Sequence, residues 1–547
     1  MNHLKQIEPR FIAGPPGTGK THVYITGLYE KLLIKYSYKK IIILSHTNVA
    51  ADQILDAIIK LPQMKDVTKK ELGETIGTIH HYCANRPSLK GKPSKTKLED
   101  HKNLIAEDRR FGLDGNPDIE KHNLYKFRSD AKGRGMTYDE YWRLCDQDSY
   151  KPYNIQVMKE LFETYKEYKK FNNKEDFTDM IERFIDPDVK APDVDAVIID
   201  ECQDSNIPQT AAIEKMATNV KDGHFYLIGD ADQTLFEYAG SNPDYFHRLA
   251  SNPYDELADG LRCSEAINTK CKTVIMPVWD KWGSHRIWTP AKYREEHGLG
   301  HVGETIKGMG YKLPYLERGS THLDILLNKI KNTNQTFLFT YRGTPSDTRV
   351  TKFLSGQGLE YGMVSSEFKP HASKKEINCH YVWPDFVNGK PMHLKQIKSF
   401  WDYMGSKVIV NTKCKFDFKG WTEKNYTIDE LINEKLLKTD CKQYTDFDLI
   451  RVPSKVTGGV EKLQYIKRVI ANGFDNEKPN QIFYGNIHQV KGLTFDNVIV
   501  DHTMSMKRAP ENFHTQLRLE YTAYSRGVFD YWELASTTKR KLGVRSA

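Results

Sequence analysis

At 547 residues the chain is too long for one hydrophobic core, so several domains are expected. With 39% hydrophobic and 28% charged residues, no apolar run near the ~20 residues that cross a bilayer and no apolar signal core in Met1–Arg10, it reads as intracellular, not secreted and without a membrane partner. The net charge of +8 is mild, and it permits a polyanionic partner without establishing one.

In chain order, Phe11-Ile12-Ala13 is the first apolar run suited to a buried strand. Gly14-Pro15-Pro16-Gly17-Thr18-Gly19-Lys20-Thr21 follows it and fits the phosphate-cradling pattern G-x-x-x-x-G-K-[ST]. Val23 to Ile34 then reads as a helix. The glycines let successive backbone N–H groups point at phosphate oxygens, and the helix start adds a favourable dipole. In such a loop Lys20 reaches the β- and γ-phosphates, and the Thr21 hydroxyl ligates magnesium.

Ile41–Leu44 reads as a parallel core strand. From about Pro87 to Lys174 the chain turns rich in Lys, Asp, Glu and Tyr, with Val157, Leu161, Tyr165 and Tyr168 at helical spacing, so an inserted helical subdomain is expected. Strand-like runs return at Ala196–Ile199, Phe225–Ile228 and Phe337–Thr340. A second irregular, lysine-rich stretch runs from about Ser365 to Asn480, and core strands resume at Gln481–Tyr484 and Asn497–Val500. The eight cysteines are scattered with no C-x-x-C pair, as for reduced thiols rather than a zinc ribbon.

The run Val197-Ile198-Ile199 ends in Asp200-Glu201. Beside a phosphate loop, an acid at a strand end can hold magnesium opposite Thr21, and the next acid can orient and deprotonate the attacking water.

Asp200-Glu201-Cys202-Gln203-Asp204 resembles the D-E-x-Q-D motif of superfamily 1 helicases of the UvrD/Rep type. Other motifs follow in that family's order. Leu44 to Ala51 is similar to motif Ia, Gly77 to His81 to motif Ib, and Asp176 to Met180 to the element before the second acidic strand. Gly229 to Phe236 resembles motif III, Leu261 to Ser264 motif IV, and Phe339 to Arg342 the L-Y-R element. His488 to Phe495 is similar to motif V and Tyr521 to Gly527 to motif VI.

The resemblance implies an α/β fold of two RecA-like P-loop NTPase cores, each carrying an inserted mainly helical or mixed subdomain. The first core would comprise 1–84 and 186–262 with insertion 85–185, and the second 263–364 and 480–547 with insertion 365–479. It implies ATP and Mg2+ as cofactors and a 3′-to-5′ DNA helicase or translocase acting on single-stranded and duplex DNA. Replication or repair proteins would be partners, in the cytoplasm or at the nucleoid.

Lys20, Glu201, Gln233, Arg262 and Arg526 are the expected catalytic set, with Gly492 beside the nucleotide. Arg262 and Arg526 would place positive charge on the γ-phosphate. Thr47, Asn48, His80, Phe236, Tyr238, Arg342 and His488 are expected along the strand, the less favoured alternatives being that Thr47, Asn48 and His80 are loop caps and both rings core. Tyr238 aligns with the family's stacking position.

Three departures stand out. Gln6 lies too close to Gly14 to match the adenine-reading glutamine, so loose base discrimination is expected, and Ala239 and Thr494 replace a common arginine and glutamate. The rival readings are a translocating ATPase that unwinds poorly and a non-catalytic nucleic-acid-binding module. An RNA strand also fits, because phosphate grip and stacking do not distinguish sugars well.

Overall fold

The computed structural model describes residues 8–85, 93–115, 122–294, 302–313, 321–341, 349–364, 372–401, 403–404, 407–410, 421–445, 447, 459–475, 477–502 and 513–534. Gln6 and Arg342 lie outside the described residues. The chain divides into two compact units: Met1–Gly308 with Lys507–Ser525, and Met309–Met506 with Arg526–Ala547.

The first unit is built on six parallel strands: β1 (Arg10–Ala13), β2 (Ile41–Ser45), β3 (Ile76–Thr78), β4 (Ala196–Asp200), β5 (Phe225–Gly229) and β6 (Asp255–Glu256). Their order is β3-β2-β4-β5-β1-β6, with every neighbour parallel. All residues of β2, β4 and β5 are buried, which is why these strands read as unbroken apolar runs.

Alternation still decides the faces. Ile42, Leu44, Val197 and Ile199 join one core, and Ile41, Ile43, Ala196 and Ile198 the opposite one. Because the strands are parallel, the residues following β1, β4 and β5 emerge along one carboxyl edge, and those following β2 and β3 lie farther along it.

Between β3 and β4 the chain forms helices at Leu98–Glu107, Asn123–Gly133, Tyr138–Leu144 and Ile155–Phe171. They enclose their own core around Phe127, Leu161, Phe162 and Tyr165. Asn154 caps the longest of them by accepting from the Val157 N–H at 3.0 Å. The helix Phe177–Ile185 belongs instead to the sheet, where Ile181 and Phe184 enter the core.

Glu265–Trp282 and Phe513–Tyr524, which the resemblance would put in the second core, are helices of this first unit. The Tyr521 carbonyl accepts from Cys271 Sγ at 3.7 Å, and the two helices bury Ile267, Cys271 and Ile275 on one and Tyr521 and Tyr524 on the other.

The second unit repeats the architecture with β7 (Gly310–Leu313), β8 (Phe337–Tyr341), β9 (Tyr361–Met363), β10 (Ile482–Asn486), β11 (Phe495–Asp501) and β12 (Gly527–Leu534). The order is β9-β10-β8-β11-β12-β7, again all parallel. A separate cluster around Trp383, Phe386, Leu394 and Leu431 forms between β9 and β10. Among the described residues, no helix is long and apolar enough to cross a membrane.

Candidate active site

The loop leaving β1 is tied down at once: the Gly14 N–H donates to the Gly229 carbonyl at 3.1 Å. Gly17 and Gly19 stand at φ 69° and 81°, where a side chain is strained. A Cβ on Gly17 would fall 2.4 Å from Arg262 Cβ, and the Gly17 carbonyl accepts from the Leu261 N–H at 2.7 Å. Lys20 folds back over the loop and donates to the Gly14 and Pro15 carbonyls at 2.6 and 3.3 Å. The Thr18 hydroxyl donates to Pro15 O at 2.8 Å, closing the loop on itself. A wide helical turn over Lys20–Ile25 runs directly into the regular helix Thr26–Leu33, so the helix expected from Val23 already begins at Lys20, three residues earlier.

The second half of the site comes from β4. Thr21 Oγ1 donates to Asp200 Oδ2 at 3.1 Å across 179 positions of sequence. Asp200 is fully buried, and its Oδ1 has no hydrogen-bond partner among the described residues. Burial, with the Glu201 charge adding to it, pushes the Asp200 carboxyl well above its ordinary range. A buried carboxylate oxygen without a donor, next to a hydroxyl, fits a hard cation such as magnesium.

Glu201 adopts φ 52°, a left-handed conformation uncommon outside glycine, which turns the chain sharply at the strand end. Gln203 Nε2 donates to Glu201 Oε2 at 2.6 Å, and Gln203 Oε1 accepts from the Asp230 N–H at 3.2 Å. Gln233 Nε2 donates to Asp230 Oδ2 at 2.8 Å, and the Tyr521 hydroxyl donates to the same oxygen at 3.2 Å. Gln203, Asp230 and Tyr521 thus orient the expected catalytic residues, although only Glu201 and Gln233 are singled out by sequence reasoning. The others lie inside the runs Asp200–Asp204, Gly229–Phe236 and Tyr521–Gly527, which is the sequence signal for them.

Arg262 lies over Gly17 and donates to Ser525 O at 3.3 Å. In the second unit Gly492 stands at φ 86° after the short helix Ile487–Val490 that carries His488. Arg526 Nη1 donates to Leu493 O at 3.4 Å, and the Arg526 carbonyl accepts from the Phe495 N–H at 2.9 Å. Gly492 and Arg526 are therefore neighbours.

Along the same edge of the first sheet, a cleft of about 440 Å³ is lined by Thr47, Asn48, Thr78, His80, Ser129 and Phe177 among others. Thr47 caps the helix Asn48–Ile58 by accepting from the Ala50 N–H at 3.2 Å, so its capping and its place in the cleft are compatible. His80 meets Phe177 edge to face at 5.1 Å, and Lys95 Nζ stands 3.7 Å over the same ring. Burial, with Lys95 nearby, lowers the His80 imidazole to about 4, so it is neutral at pH 7. Phe236 is half-buried, whereas Tyr238 is 50% exposed and 6.0 Å from it, ring to ring.

A parallel sheet whose carboxyl edge joins a glycine loop, a lysine, a hydroxyl and a buried acid is the RecA-like core of a P-loop NTPase. Residues 2–253, just under half of the chain, match the UvrD/REP helicase N-terminal domain. That stretch is therefore similar to the N-terminal domain of UvrD/Rep-type superfamily 1 helicases. No curated protein matches it significantly.

Proposed function

We propose that the protein hydrolyses ATP to move 3′-to-5′ along single-stranded DNA and unwinds duplex DNA. The supporting observation is the Thr21–Asp200 hydrogen bond beside Lys20, on the sheet edge that also carries the Thr47–His80 cleft.

Gly14, Pro15, Pro16, Gly17, Thr18 and Gly19 cradle the phosphates, and Lys20 exchanges its loop carbonyls for β- and γ-phosphate oxygens. Thr21 and Asp200 hold magnesium, which when bound neutralises phosphate charge. Glu201 takes the proton of the attacking water, and Gln233 senses the γ-phosphate. Arg262 and Arg526 stabilise charge developing on the transferred group, and Gly492 adjoins the nucleotide.

Thr47, Asn48 and His80 grip backbone phosphates, while Phe236 and Tyr238 stack on bases. Arg342 and His488 are assigned the same strand-contacting role.

The test is ATP hydrolysis with and without oligothymidylate. Strand-stimulated hydrolysis, lost in Lys20→Ala with strand binding retained, is expected. Wild-type turnover in Lys20→Ala would remove the loop from the mechanism.

A further inference from the structure

The segment Gly229–Ser241 has two ends with different partners. At one end Asp230 and Gln233 lie by the nucleotide loop, and at the other Phe236 and Tyr238 present their rings. Glu237 sits between those rings, and nothing in the proposed chemistry uses it. Its carboxylate is nonetheless gripped twice. Thr515 Oγ1 donates to Oε2 at 2.8 Å, and Arg518 Nη1 pairs with Oε1.

Both partners lie on the helix Phe513–Tyr524. Residues three apart share a helix face, and Tyr521 is the next along it. The Tyr521 hydroxyl holds Asp230, and one turn farther the Ser525 carbonyl accepts from Arg262. One helix face therefore touches the nucleotide end and the aromatic end of the same segment.

The opposite side of the segment is fixed. A Cβ on Gly133 would fall 2.4 Å from the Ala239 carbonyl oxygen, and Arg134 Nη2 donates to Tyr238 O at 3.2 Å. The backbone is held while the Tyr238 ring stays exposed.

Arg518 is buried, with His247 Nε2 at 3.4 Å from its Nη2. A buried guanidinium holds its carboxylate strongly, because losing it strands the charge. Glu237 is thus the point at which the helix can pull on the aromatic loop.

We propose that Glu237 is a positioning residue that couples the nucleotide site to the strand-binding rings through Thr515 and Arg518. The proposal rests on the motor reading above. A shift of the helix, sensed at Asp230–Tyr521 or Arg262–Ser525, reaches Phe236 and Tyr238 through the Glu237 carboxylate.

The experiment measures binding of fluorescent oligothymidylate to the full chain, without nucleotide and with a non-hydrolysable ATP analogue. Melting temperature and basal ATP hydrolysis are read on the same samples. Wild type is expected to change strand affinity between the two states by about 5–150-fold. Glu237→Gln, which keeps an acceptor for Thr515, is expected to retain basal hydrolysis while the change shrinks to about twofold or less. Thr515→Val keeps the ion pair and is expected to lose part of the change, so the proposal is decided even if Glu237→Gln does not fold.

Undiminished nucleotide dependence in a folded Glu237→Gln, or in Thr515→Val should the first variant not fold, overturns the coupling. A wild type that binds the strand equally in both states overturns it too. A wild type that binds no single strand in either state overturns the motor reading itself.

Discussion

Glu201, the proposed base, is positioned by its backbone as well as by its neighbours. The left-handed turn at φ 52° swings it off the strand end, and Gln203 holds one carboxylate oxygen at 2.6 Å. Glu201→Gln keeps that shape and loses the basic oxygen, so nucleotide binding is expected to persist while hydrolysis falls by more than about tenfold. Single-turnover hydrolysis checks this, and a smaller fall would assign water activation elsewhere. At Tyr238 the exposure of 50% bears on the two readings of the ring. A core ring replaced by alanine costs roughly 3–5 kcal/mol of stability, whereas a stacking ring costs about 1–3 kcal/mol of strand binding. Tyr238→Ala is therefore expected to keep its melting temperature and lose single-strand affinity, with Tyr238→Phe nearly silent. A drop in melting temperature with every activity damaged together would return the ring to the core.

Helix Phe513–Tyr524 and its neighbours bury a polar cluster. His247 is fully buried, stacked on Trp282 at 5.7 Å, with Ser284 Oγ at 3.3 Å and Asp232 Oδ1 at 3.9 Å. Burial first, then Arg518, Arg286, His514 and Lys281, lowers its imidazole to about 2 from an ordinary 6.5. The folded state therefore keeps His247 neutral where the unfolded chain takes up a proton, and its share of stability is present above pH 6.5 and lost as pH falls below it. One proton per molecule corresponds to at most about 1.4 kcal/mol per pH unit. His247→Gln is expected to flatten the acid limb of melting temperature against pH, and an unchanged limb would contradict this.

None of this cluster was legible in the sequence. Asp232, His247, Trp279 and Arg518 have no shared period or spacing, and only the fold brings them together. The core strands were legible because burial on both faces leaves unbroken apolar runs: Ile41–Leu44 extends only to Ser45, and Ala196–Ile199 only to Asp200. Short or mixed strands were not, as at Ile76–Thr78 and Tyr361–Met363, where glycine interrupts the run. Gly527–Leu534 hid behind the adjoining motif despite its Val528, Phe529 and Trp532. Thr21 and Asp200 could be paired in advance because phosphate chemistry demands a hydroxyl and an acid together. Glu237 and Arg518 could not, since an ion pair 281 positions apart obeys no such demand.

For the whole molecule, two parallel sheets of the same architecture, one bearing Lys20, Asp200 and Glu201 and the other Gly492 and Arg526, make a motor the natural reading. An ATPase that only translocates and a helicase that separates strands share all these groups. The proposed stacking on Tyr238 and phosphate grip at Thr47 and His80 would hold a strand independently of its sequence, so the proposed activity is expected on any tailed duplex. The most direct measurement is strand displacement from DNA duplexes carrying a 3′ or a 5′ single-stranded tail, with ATP and magnesium. The account predicts ATP-dependent displacement from the 3′-tailed duplex, none from the 5′-tailed one, and none from either with Lys20→Ala. A folded wild-type protein that displaces no strand from the 3′-tailed duplex, or displaces it only from the 5′-tailed one, would contradict it.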